Sequence, residues 1–137
     1  MTSSGSQLNF LLEGLVARTP GAAHALLLSS DGLRMNNTAG LTVDKSDQLA
    51  AIAAGIQSLS IGASMEFGDG RGGVRQSMTQ FSGGILFIVD AGMGAHIAVI
   101  ATEDADAGLV GHNMLELVEQ MSHYLVAEPR FGGASVS

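Results

Sequence analysis

The residues that could do chemistry are four histidines, two pairs of aspartates and one glycine run. His24 and His96 lie in apolar segments, whereas His112 and His123 fall on the polar side of a C-terminal helical pattern. On neighbouring strands, His24 and His96 could share a metal ion or pass a proton, but histidines satisfied within a core are the simpler expectation. The run Gly68-Asp69-Gly70-Arg71-Gly72-Gly73 has the composition of a phosphate cradle. Such a cradle follows a strand and opens a helix, so that backbone N–H groups meet the anion. This run follows a helix, opens a strand and lacks the Gly-Lys-Ser/Thr ending, so it reads as a connector. Asp44 and Asp47, like Asp104 and Asp106, stand at helix starts, where a carboxylate favours the helix dipole without any catalytic role. No Ser-His-Asp arrangement is identifiable by spacing. With no cysteine there is no disulfide framework, thiolate nucleophile or thiolate-bound zinc. The expectation is no catalytic residue, no metal, no cofactor and no enzyme, with function carried by surfaces.

The composition points the same way. A chain of 137 residues is one domain, large enough to fold without a disulfide or metal. Hydrophobic residues make up 46% and charged residues only 14%. Few charges are available to cover much apolar surface, which favours an oligomer. The net charge is -7 with six Lys plus Arg and no basic cluster, which sets aside nucleic acid and an anionic membrane surface. Met1 to Ser6 has no basic leader, and no apolar run of about 20 residues is apparent. No direct membrane insertion is expected. The expected location is the cytoplasm, with any membrane association made through partners.

The elements that must position these residues follow an α-β-β-α-β-β-β-α order. Residues 1–5 are small and polar and read as disordered; 6–126 form the domain; 127–137 form a flexible tail. Helix one spans about Ser6 to Arg18, with Ser6 as N-cap and Leu8, Leu11, Leu12 and Leu15 at helical spacing, and stops at Thr19-Pro20-Gly21. Strand one, Ala22 to Ser29, is apolar on both faces, with Leu26 and Leu28 opposite Ala25 and Leu27. Ser30-Asp31-Gly32 turns into a polar strand, Leu33 to Thr38. Helix two spans Val43 to Ser64, capped by Thr42 or Asp44. Val74 to Phe81 is a second polar strand. Ile85 to Asp90 and Ala95 to Thr102 are apolar on both faces. Helix three runs from Asp104 or Asp106 to Val126, with a core stripe of Val110, Met114, Leu117, Val118, Met121 and Leu125. Polar strands take edges and apolar strands the middle. With hairpins pairing neighbours, the sheet is five-stranded, antiparallel and ordered 2-1-5-4-3, an α/β (α+β) domain with helices on both faces.

Helix two carries two candidate faces. Leu49, Ile52, Ala53, Ile56, Leu59 and Ala63 form the stripe expected to lie on the sheet. Beside it run Ala50, Ala54, Gln57 and Ile61, a small, uncharged line expected to meet a second helix. Gly55 and Gly62 each cost about 1 kcal/mol in a helix interior, so their presence suggests the close approach of another helix.

The order of elements resembles the roadblock/dynein light chain family from about Leu8 to Val126. The pieces that carry the likeness are Leu11-Leu12-Glu13-Gly14-Leu15-Val16, Pro20-Gly21-Ala22, Ala25-Leu26-Leu27-Leu28-Ser29-Ser30-Asp31-Gly32-Leu33 and Gly83-Gly84-Ile85-Leu86-Phe87-Ile88-Val89. The hairpin segment is similar to the bacterial members encoded beside small Ras-like GTPases and sensor-kinase-like proteins. The resemblance implies a homodimer in which third strands pair across a two-fold axis and second helices pack side by side. That adds Arg75, Ser77 and Thr79 to the dimer contact of Ala50, Ala54, Gln57 and Ile61. It also implies a small Ras-like GTPase as partner; in the gliding-motility version the dimer reorders the GTPase's own residues and supplies no arginine finger. Contacts to that partner are expected from Lys45, Asp47, Gln48 and Ala51. The chain is then a non-enzymatic regulator or adaptor in bacterial signalling. The alternatives are a dimeric scaffold for a sensor-kinase-like complex and a small-ligand sensor.

Overall fold

The computed structural model describes residues 2–127. Three helices, α1 (Thr2–Arg18), α2 (Val43–Phe67) and α3 (Ala107–Ala127), alternate with five strands. These are β1 (Ala22–Ser29), β2 (Arg34–Asn37), β3 (Gln76–Phe81), β4 (Gly84–Gly92) and β5 (Ala95–Ala101). The sheet is antiparallel and ordered β2-β1-β5-β4-β3, as strand polarity predicts.

Local chemistry sets most of the boundaries. Thr42 caps α2 by accepting the Lys45 N–H at 3.1 Å, and Asp106 caps α3 by accepting the Leu109 N–H at 3.1 Å. Gly21 turns the chain out of α1 at φ +90, a conformation open to glycine. The first helix begins at Thr2 rather than Ser6. Its early turns are tied to the β2 edge: the Asn36 side-chain amide donates to the Gly5 carbonyl at 3.4 Å and to the Asn9 amide oxygen at 3.0 Å. Residues 128–137 of the expected tail, and the side chains of His123 and Leu125, lie outside what the structure describes.

The central strands are buried on both sides, and the alternation in β1 sorts them. Ala25 and Leu27, with Phe87, Val89, Ile97 and Val99, face α1 and α3, joined by Leu12, Leu15, Met114, Leu117 and Met121. Leu26 and Leu28, with Leu86, Ile88 and Ala98, face α2. Between α1 and α3, the Asn113 amide donates to the buried Thr19 hydroxyl at 2.8 Å.

The second helix meets the sheet through only part of the face its hydrophobicity suggests: Leu49, Ala53 and Ile56 of the expected stripe pack there. Its buried residues are Ser46, Leu49, Ala50, Ala53 and Gln57. Ile52 is 53% exposed and Leu59 78% exposed, and Ala63 also points to solvent, so these three are not core. The reason is volume. The sheet fills the layer with Leu26, Leu28, Leu86 and Ile88, leaving room for small helix residues beneath. The two buried polar groups are satisfied: the Ser46 hydroxyl donates to the Thr42 carbonyl at 2.8 Å, and the Gln57 side-chain oxygen accepts from the Ser77 hydroxyl at 2.8 Å. This helix is also long and apolar enough, by length and composition, to cross a membrane. Here it lies on a sheet with its other side open.

Ala53 is fully buried between α2 and the leucine- and isoleucine-filled sheet. Ala53→Leu should lower stability by about 1–3 kcal/mol through overpacking. Urea titration reads this directly, and an unchanged midpoint would show that the layer is loose.

Candidate functional site

The outer side of α2 is the most unusual surface of the protomer. Ala51, Gly55, Ser58, Leu59 and Gly62 share it and are exposed. A Cβ added at Gly55 or Gly62 would meet nothing within 4 Å, so a neighbouring backbone could come close there. Ile52, Met65 and Phe67 flank the stripe with their side chains in solvent. The polar edge strand β3 completes this side of the molecule. Among the described residues nothing pairs with its outer backbone, and Met78 and Phe81 on it are about half exposed. An open strand edge next to an apolar helix face invites another protein chain.

The structure separates the residues expected to form the dimer contact. Ala50 and Gln57 are 0% and 2% exposed within one protomer, packed on the chain's own sheet, so they cannot meet a second copy. Ala54 is half-buried beneath the β1–β2 turn, where a Cβ on Gly32 would lie 3.6 Å from its methyl group. Ile61 is exposed but partly roofed by Gly72. The outward stripe therefore lies roughly a third of a turn around the helix from the expected line. Arg75 is exposed just before β3, outside the strand, and Thr79 is exposed on it. Ser77 turns inward to Gln57 and Ser60.

Lys45, Asp47, Gln48 and Ala51 are all exposed on the N-terminal half of α2. Asp47 pairs with the Arg34 guanidinium of β2 at 3.2 Å, a partner the sequence reading missed because the two come together only through the hairpin. The glycine run folds back along the end of α2. Gly72 packs against Met65 and Ile61, the Ser64 hydroxyl donates to the Gly73 carbonyl at 2.8 Å, and Asp69 accepts from the Arg71 N–H. Its glycines let the backbone approach the helix.

His24 and His96 both lie on the α2 side of the sheet but opposite different residues, Ile100 and Leu28. Four residue steps separate these positions, roughly 13 Å, too far to share a proton or an ion. Among the described residues no group of three or more potential ligands could hold a metal. His96 does meet a serine and an aspartate that spacing could not reveal. Its Nε2 is 3.3 Å from the Ser30 hydroxyl, and Asp90 is its partner across β4 and β5. The geometry is not that of a nucleophile relay. The Ser30 hydroxyl also reaches the Gly94 carbonyl at 3.1 Å, and His96 Nδ1 is buried with no partner to orient it.

Burial holds the His96 pKa below its ordinary value, against an opposing pull from Asp90. The groups facing it from α2 (Ala54, Gln57, Ser58 and Ile61) carry no charge. Because the folded pKa is depressed, the unfolded chain binds this proton more readily. Stability is therefore complete above the ordinary histidine range near 6.5 and falls as pH drops through the folded pKa. His96→Asn should flatten that decline. Parallel urea-stability profiles for the two proteins across this window would contradict it.

A family model described as the Roadblock/LC7 domain matches residues 8–101. Among solved structures, a Roadblock/LC7 domain from Streptomyces avermitilis is 41% identical, with a TM-score of 0.81 over 86% of this chain and 97% of that one. The gliding protein MglB from Thermus thermophilus is 20% identical, with a TM-score of 0.78 over 90% and 92%. Profilin IB from Acanthamoeba castellanii shares the fold at 15% identity, with a TM-score of 0.59 over 83% and 95%. No curated protein matches the chain by sequence.

Proposed function

The chain belongs to the Roadblock/LC7 family, and from that premise we propose that it is a non-enzymatic, homodimeric regulator or adaptor of a small Ras-like GTPase in bacterial signalling. The observation that carries this reading is the outer side of α2: an apolar, glycine-containing stripe left open beside an unpaired strand edge. A second copy fits that surface, with Gly55 and Gly62 letting two helices approach and the β3 edges extending the sheet. The GTPase then docks on the N-terminal half of α2, where Lys45, Asp47 and Gln48 are exposed in the single chain and Ala51 stands at the rim of the seam. Regulation follows if the dimer prefers one nucleotide state, since a ligand moves an equilibrium only by its difference in affinity for the two states. The chain works in the cytoplasm on this reading, reaching any membrane through its partners.

The test is a titration against a Ras-like GTPase from the same cell, loaded with GTP or GDP. The dimer should bind one form about fivefold or more tightly than the other. Asp47→Lys should weaken binding while leaving the fold intact, because the exposed Arg34 pair contributes about 1 kcal/mol at most. Equal affinities would leave the scaffold reading, with a sensor-kinase-like protein as partner. No binding would remove the GTPase altogether.

A further inference from the structure

A groove of about 350 Å³ opens between the start of α2 and the sheet, on the side away from the glycine loop. Leu41, Leu49, Ile52 and Ile100 give it apolar walls. Its polar lining is made of groups able to donate a hydrogen bond: the Lys45 ammonium, the Gln48 amide, the Thr42 hydroxyl and the His24 ring. Lys45 is the only charged residue among them, in a chain of net charge -7, and among the described residues no carboxylate pairs with it. The His24 ring packs on Gly40, where an added Cβ would lie 3.3 Å from Nδ1. That nitrogen is buried with no partner. An N–H sealed there would cost more than an unfilled lone pair, so a neutral ring places its proton on Nε2, and His24 can act as a donor. Apolar walls with a few convergent polar groups are the composition of a small-molecule site.

We propose that this groove binds a small carboxylate with an apolar body. The aliphatic part lies between Leu49 and Ile100, and the carboxylate accepts from Lys45 and His24. The groove shares Lys45 and Gln48 with the surface proposed for the GTPase, but it lies within one protomer, so its occupancy can be tested without a partner protein.

Hexanoate is the probe, with hexanol as the uncharged control, titrated into the isolated full-length protein and followed by backbone amide NMR shifts. Hexanoate should shift Gly40, Thr42 and Lys45 in a saturable way and bind about fivefold or more tightly than hexanol. Lys45→Met, a change at an exposed side chain, should remove that preference and leave hexanol binding as it was. No localised shift up to about 10 mM, a weakness beyond that of useful ligand recognition, would overturn the proposal. So would equal binding of hexanoate and hexanol, or a preference for hexanoate that survives Lys45→Met.

Discussion

Burial of the central strands on both faces is the constraint on which the rest depends. β1, β4 and β5 carry large apolar residues facing up and down, so neither side of the sheet can be left to water. Five strands spaced about 4.8 Å apart make a layer roughly 20 Å wide, and one helix covers about 10 Å of it. One side receives two helices, α1 and α3; the other receives α2 alone. A single helix must serve that whole side, so it runs long and lies close. Closeness requires Ala50 and Ala53 on its inner face.

The outer face of α2 follows from the same constraint. With the small residues turned inward, Ile52, Leu59 and Met65 are left outside, and Gly55 and Gly62 break the surface between them. Two glycines in a helix interior together cost about 2 kcal/mol. Among the described residues nothing offsets that cost, since a Cβ at either position would meet no atom within 4 Å. A second helix seated on the stripe would offset it, and the adjoining β3 edge would be covered by the same association.

Much of this architecture was legible in the residues. Alternation along Ala25 to Leu28 placed β1 in the middle with both faces buried, and the polar β2 and β3 segments marked the edges. Thr42 and Asp106 are caps recognisable by type and position. The faces of α2 were legible only in part: Leu49, Ala53 and Ile56 pack on the sheet as expected, but hydrophobicity ranks Ile52 and Leu59 above Ala50 and Gln57. Gln57 is admitted to the core only by its bond to Ser77, a residue on a different element. The Arg34–Asp47 pair, the contact of Ser30 with His96 and the glycine loop lying on Met65 also depend on long-range folding that spacing cannot display. What a surface of partners would bind was legible only as an absence of chemistry together with an unusual helix.

The central claim is that α2 turns its glycine stripe, and not its Ala50 line, toward a second copy. The chain has no cysteine, so single introduced thiols report proximity without background. Mild oxidation of Gly55→Cys should give a disulfide-linked species of twice the 14.0 kDa chain mass on a non-reducing gel, whereas Ala50→Cys should remain monomeric there. Cross-linking through position 50, or none through position 55 in a protein that sediments as a dimer, would contradict the account.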